Sequence, residues 1–250
     1  MKKKDVIAMT LCCLFFAAHL VFADASLFSR ANAKYQAGDF KAAADLYQEI
    51  IRSGKPSASV YYNLANASFR LGQKGKALIF YERALRANPR DPDIRWNMDI
   101  LKMVLSDRMG SPEDNSVVIW IRTLEDKWTM DEIGFIFSGG LAFFTLLLFL
   151  NVLFPSAKAA TAFLRFLVLL FLFLAGGLSL FKWQDLRIPR VVVMEKEVYA
   201  RYGPSPGETQ AFLLHEGAEG AVLDETQGWF YVKLPDQSLG WIPREACEII

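Results

Sequence analysis

The stretch SVYYNLANASFRLGQKGKALIFYERALRANPRDP, residues 59–92, decides how this chain is read. Apolar residues recur at helical spacing on both sides of a break at Gly72, so the segment predicts helices over 60–71 and 74–87. Pro89 stops the second, because proline has no amide hydrogen and clashes with the preceding turn. The same features lie 34 residues upstream: Gly38 stands to Gly72 as Ala43 to Ala77 and Tyr47 to Tyr81. A small residue where two helices cross lets their backbones approach, and an aromatic ring one turn later fills the gap. A fixed period of this kind predicts a stacked helix–turn–helix solenoid.

Both units resemble the tetratricopeptide repeat family. The first, LFSRANAKYQAGDFKAAADLYQEIIRSGKP at 27–56, does so chiefly through its second helix. A third helix over 92–105, opened by Pro92, is expected to cover the end of the stack with Ile94, Met98 and Leu101, so that the helical region spans 24–110. In that family the first helix of each unit lines a concave groove. The resemblance places the groove at Phe28, Asn32, Tyr35 and Gln36, then at Ser59, Tyr62, Asn66, Phe69 and Arg70. Asparagine at one phase of both units suits hydrogen bonds to a partner's peptide backbone or carboxylate. Packing between helices is the alternative role for Tyr62 and Phe69.

Upstream, residues 1–23 read as a secretory signal. Lys2, Lys3 and Lys4 are followed by an apolar run over 6–18 and by Val21-Phe22-Ala23, small residues where a signal peptidase cuts. A retained anchor is the other reading and leaves the topology unchanged. Cys12 and Cys13 leave with a cleaved signal, so a mature chain keeps Cys247 and forms no internal disulfide.

Downstream, a Pro/Asp-containing linker at 111–116 ends the helical region. Val117, Trp120, Ile121, Leu124 and Trp128 then follow helical spacing, which suggests a helix lying among lipid headgroups or packed under the repeats; linker and helix together occupy 111–132. Thr129-Met130-Asp131-Glu132 is a capping-box pattern. It opens an uncharged segment over 133–154, long enough for the ~20 residues a membrane crossing needs. A turn at 155–158 leads to a second apolar segment over 159–181, so a transmembrane hairpin is expected. Lys158 and Arg165 at the turn place it in the cytoplasm and both soluble parts in the periplasm. Gly139-Gly140 and Gly176-Gly177 suit close helix contact.

From residue 190 to 250 short apolar runs alternate with turn signals, at 191–193, 198–200, 203–207, 221–223, 229–234 and 240–242. That rhythm predicts a small all-β barrel. The stretch VYARYGPSPGETQAFLLHEGAEGAVLDETQGWFYVKLPDQSLGWIP, 198–243, resembles bacterial SH3-like domains. By that resemblance Tyr199, Tyr202, Trp229 and Trp241 are candidate rim contacts for peptide or cell-wall peptide, with a place in the small core as the alternative for the tryptophans. Seven Lys/Arg against eleven Asp/Glu from residue 182 onward argue against an anionic polymer.

The fold class is therefore a multi-domain membrane protein: α-solenoid, two transmembrane helices and a small all-β SH3-like barrel. A net charge of +1 without a basic stripe excludes a general nucleic-acid binder. After signal removal His215 and Cys247 are the last His and Cys, too few for a zinc site or a histidine-based triad. Gly72 and Gly75 read as repeat punctuation rather than a phosphate loop. No enzyme and no cofactor is expected. The order of signal, repeats, hairpin and SH3-like domain resembles the E-type proteins of the Bacteroides aerotolerance (Bat) operon. That resemblance implies a scaffold for envelope stress tolerance, with von Willebrand factor A-domain membrane proteins as partners and, indirectly, a MoxR-type ATPase. A peptidoglycan-binding receptor that recruits a wall enzyme is the rival reading.

Overall fold

A computed structural model describes residues 26–54, 56–107, 120, 121, 123, 124 and 126–250. The signal segment, the linker at 111–116 and most of the amphipathic stretch at 117–128 lie outside them. The helical region is α1 (26–36), α2 (Phe40–Ser53), α3 (Ala58–Arg70), α4 (Lys74–Ala87) and α5 (Pro92–Val104). Both units turn in the same way. Gly38 and Gly72 adopt φ of +81° and +75°, a left-handed conformation that glycine alone adopts without strain. The next amide in each case reaches five residues back, Asp39 N to Lys34 O and Gln73 N to Ser68 O, closing the helix end. Asp39, Ser57 and Asp91 then cap α2, α3 and α5 with side-chain oxygens. Ala43, Ala77, Tyr47 and Tyr81 are all buried where the helices cross, as the 34-residue period requires. Ile94 and Leu101 bury α5 against this stack.

The hairpin is formed by a first helix (Met130–Leu153), a 3-10 turn (Pro155–Ala157) and a second helix (Lys158–Arg187). Both bonds of the expected capping box are present: Thr129 N donates to Glu132 Oε2 at 2.9 Å, and Glu132 N to Thr129 Oγ1 at 3.1 Å. The helices meet through Leu147, Val168 and Leu172. A Cβ on Gly140 would stand 2.9 Å from a terminal methyl of Leu172, so the two helices approach closely there, whereas Gly139 and Gly177 face open space. Only 11% and 6% of the most apolar windows are buried, unlike the core helices of a soluble domain. Two helices here are long and apolar enough to cross a membrane.

The C-terminal region is a seven-stranded antiparallel sheet of order β3-β2-β6-β5-β4-β1-β7. Its strands are β1 (Arg190–Val193), β2 (Glu197–Arg201), β3 (Gln210–His215), β4 (Glu219–Thr226), β5 (Trp229–Lys233), β6 (Leu239–Pro243) and β7 (Cys247–Ile249). Gln227 and Gly228, both at positive φ, make the tight β4–β5 turn. Residues 203–207 form turn structure, and the strand after them is β3.

The sheet packs onto the repeats through β1. Strand side chains alternate between faces. Val191 and Val193 enter the sheet core, while Val192 between them is fully buried in the core of the repeats. Gly75 is therefore a contact rather than punctuation: a Cβ there would lie 2.9 Å from the Val193 carbonyl oxygen. Gln73 gives α4 no side-chain cap; instead Gly75 N donates to Glu216 Oε1 of the sheet at 2.9 Å. Asp107 accepts from His215 N at 2.6 Å and lies 2.8 Å from its Nδ1. Arg83 pairs with Glu248 and Lys102 with Glu219.

Candidate functional site

The first helices of the two units, α1 and α3, stand side by side, and α5 continues the row. The interval of 34 relates Asn63 to Asn97, Tyr62 to Trp96 and Phe69 to Met103, so α5 carries the phases of a third first helix. It both covers the stack and extends the row of first helices. Trp96 and Met103 are 67% and 60% exposed, and Ile100 between them is half-buried.

The structure gives the asparagines an internal role. Asn32 Oδ1 accepts from Tyr47 Oη at 2.6 Å and from Asn63 Nδ2 at 3.0 Å. One repeat on, Asn66 Oδ1 accepts from Tyr81 Oη at 2.5 Å and from Asn97 Nδ2 at 3.1 Å. Asn97 Nδ2 also donates to Tyr62 Oη at 2.7 Å. The carboxamide at this phase thus satisfies a tyrosine hydroxyl that would otherwise be buried without a partner. Burial raises both phenols, that of Tyr47 to about 12 against a weaker lowering by the Asn63 hydrogen bond, so both stay protonated donors at neutral pH. Among the described residues the Asn32 and Asn66 carbonyl oxygens are committed internally, and only their Nδ2 groups remain for a partner.

The other groove residues divide by exposure. Gln36, Ser59 and Arg70 are exposed, and Arg70 lies over the Phe40 ring at 4.5 Å. Phe28, Tyr35, Tyr62 and Phe69 are half-buried, with Tyr35 edge-on to Phe40 at 5.1 Å and Tyr62 6.1 Å from Tyr81. Sequence reasoning passed over Asn63, Asn97 and Trp96, although the same interval of 34 marked them.

On the sheet, Tyr199 and Tyr202 are exposed, and Trp241 lies tilted against Tyr231, its partner in register, with ring centroids 5.0 Å apart. Trp229 is 9% exposed and serves packing more than contact. His215 is engaged by Asp107, and burial pushes the Cys247 thiol up to about 12, leaving a poor nucleophile. Among the described residues no cluster of three His, Cys, Asp or Glu side chains is placed to hold a metal.

A 34-residue period, left-handed glycines at both turns and buried alanines at both crossings are now established. Residues 28–92 match the tetratricopeptide repeat family. No curated protein matches the chain. Tetratricopeptide repeats are typically non-catalytic protein-interaction modules, and here α1, α3 and α5 carry Gln36, Arg70, Trp96 and Met103 as exposed side chains.

Changing both Asn32 and Asn66 to Ala is expected to lower stability despite alanine's better helix propensity. Asn66→Ala strands the buried Tyr81 hydroxyl, at ~1–3 kcal/mol, and Asn32→Ala takes the acceptor from the Tyr47 hydroxyl and leaves it Asn63 alone. Thermal unfolding followed by circular dichroism checks this; an unchanged midpoint would show that the asparagines do not hold the tyrosines. Gln36→Ala and Arg70→Ala, at exposed positions, leave stability within about 0.5 kcal/mol of the parent and are the cleaner probes.

Proposed function

We propose that this chain is a non-enzymatic inner-membrane scaffold that holds a protein partner in its tetratricopeptide groove, outside the cytoplasm. The exposed row of Gln36, Arg70, Trp96 and Met103 across three helices carries the reading, because it is an uncovered surface in a fold built for protein contact. Placement of both folded parts on one side of a membrane is supported by the Gly75–Glu216 and Asp107–His215 bonds, which join segments before and after the hairpin. Two crossings return the chain to the side it left. The export-like N-terminus and the cations at the turn favour the periplasm. Within this reading the sheet is an SH3-like domain and the complex is of the Bat type. Its partners are von Willebrand factor A-domain membrane proteins, with a MoxR-type ATPase reached through them.

The aromatic group Tyr199, Tyr202 and Trp241 keeps a second reading in view, in which the sheet docks peptidoglycan. Protease added to spheroplasts tests the arrangement. Repeats and sheet should both be digested while the hairpin survives. Protection of the sheet alone would mean that one of the two helices does not cross.

A further inference from the structure

Between residues 133 and 181 the hairpin carries two charges, Lys158 and Arg165, and both are positive. Arg165 stands seven residues beyond Lys158, roughly 10 Å along the second helix. Its side chain nevertheless folds back to the turn, where Nη2 donates to the Lys158 carbonyl at 3.1 Å. Thr161 Oγ1 lies 3.5 Å from the same carbonyl and donates to Asn151 Oδ1 at 2.8 Å, which ties the end of the first helix to the start of the second. Asn151 is 3% exposed, and its Nδ2 has no acceptor among the described residues. The segment 133–181 contains no Asp or Glu that could pair with either cation. The cluster is therefore short of acceptors: the Lys158 ammonium, the other guanidinium N–H groups of Arg165 and Asn151 Nδ2 all donate. Phe154, Phe163 and Phe166, at the same end of the hairpin, are exposed.

We infer that the turn end of the hairpin binds the phosphodiester of an anionic phospholipid whose head bears no amine, of the glycerol type. This rests on the reading of the hairpin as membrane-spanning, which sets Lys158 at the headgroup layer. A guanidinium held among apolar side chains is costly unless something of opposite charge meets it. Arg165 finds no such group on the hairpin, and its turn-ward side chain points it at the phosphates of the lipid layer. A phosphodiester brings acceptor oxygens and negative charge, the two things the cluster lacks. An ethanolamine or choline head would add a further cation beside Lys158 and Arg165. The exposed phenylalanine rings suit acyl chains, which a free phosphate ion does not have. Asn151 acts as a positioning residue: its bond to Thr161 fixes the second helix so that both cations converge on one phosphate. The bound lipid then holds the turn in its own leaflet.

The full chain in detergent, exposed to equimolar phosphatidylglycerol, phosphatidylethanolamine and phosphatidylcholine of the same acyl chains, is to be measured by native mass spectrometry. Phosphatidylglycerol should be retained over phosphatidylcholine by roughly tenfold, the factor set by one charge-assisted hydrogen bond. Lys158→Gln combined with Arg165→Gln should remove that preference with unchanged circular dichroism, and Lys158→Arg combined with Arg165→Lys should keep it. Arg187→Gln, at the opposite end of the second helix, should leave it as in the parent. Equal retention of the three lipids, a preference for phosphatidylethanolamine, or a preference that survives in the double glutamine variant overturns the inference. Inorganic phosphate should not displace the lipid; displacement would make this a site for the free ion and overturn the lipid assignment. A photoreactive phosphatidylglycerol on the parent protein gives a readout independent of any variant. It should label peptides within 151–165, and labelling confined to 182–190 overturns the site. Insertion into liposomes separates the two levels: a chain that inserts without lipid preference defeats this inference alone, and a chain that fails to insert defeats the membrane reading as well.

Discussion

Ala77→Trp unfolds the repeat region well below the parent's melting temperature. Ala77 has no exposed surface and lies in the crossing of α3 and α4 beside Leu64, Leu78 and Tyr81. An indole cannot enter without separating the helices, at a cost of ~3 kcal/mol or more. A helical region of this size has only ~4–12 kcal/mol in hand. With two units and α5 to share the strain, the midpoint should fall by ~15 °C or more. Ala33→Trp, at an exposed position on α1, controls for the bulk of the side chain and should move it little. Differential scanning calorimetry of both variants makes the comparison. Equal midpoints would contradict the close-packed crossing on which the solenoid rests.

The second large effect concerns the joint between repeats and sheet. Gly75→Val places a branched side chain against the Val193 carbonyl, 2.9 Å from the glycine's Cβ direction. That carbonyl cannot yield easily, because it accepts from Gly217 N and its own residue's amide is bound to Ala218 O. The sheet must move off α4. It then withdraws the Glu216 cap from Gly75 N and Val192 from the core of the repeats. The combined loss is on the order of 3 kcal/mol at the joint. Amide exchange in the first turn of α4 should accelerate on the order of a hundredfold, while β4 and β5 keep their protection. Unchanged exchange at Gly75 and Lys76 would show that the two regions fold apart.

These effects mark where the sequence was informative and where it fell silent. Local signals carried the repeats: Gly72, Ala77, Tyr81 and Pro89 each act within a few residues, and α4 begins and ends where they place it. The two long apolar helices were equally legible, since an uncharged run opened by a capping box strongly favours helix. Strand β3 was missed because Gln210-Ala211-Phe212-Leu213-Leu214 lacks β-branched residues, and its pairing with β2 decides its conformation instead. The joint was hidden for another reason. Gly75 meets Glu216 across 141 residues, and no periodicity reports a contact between separate regions. Val191-Val192-Val193 held a clue in its unbroken apolar run, which suits a strand buried on both faces. For the groove, the family resemblance pointed to Asn32 and Asn66, but only the fold reveals that Tyr47 and Tyr81 occupy their oxygens.

The central claim is that an open tetratricopeptide groove holds a protein partner. A photo-crosslinking amino acid placed in turn at Gln36, Arg70 and Trp96 in the full chain, in intact cells, tests it most directly, with Lys41 and Glu49 on the exposed side of α2 as controls. The account expects one shared protein adduct from the three groove positions and none from the controls. Adducts of equal strength from both sets, or none from the groove, would contradict it.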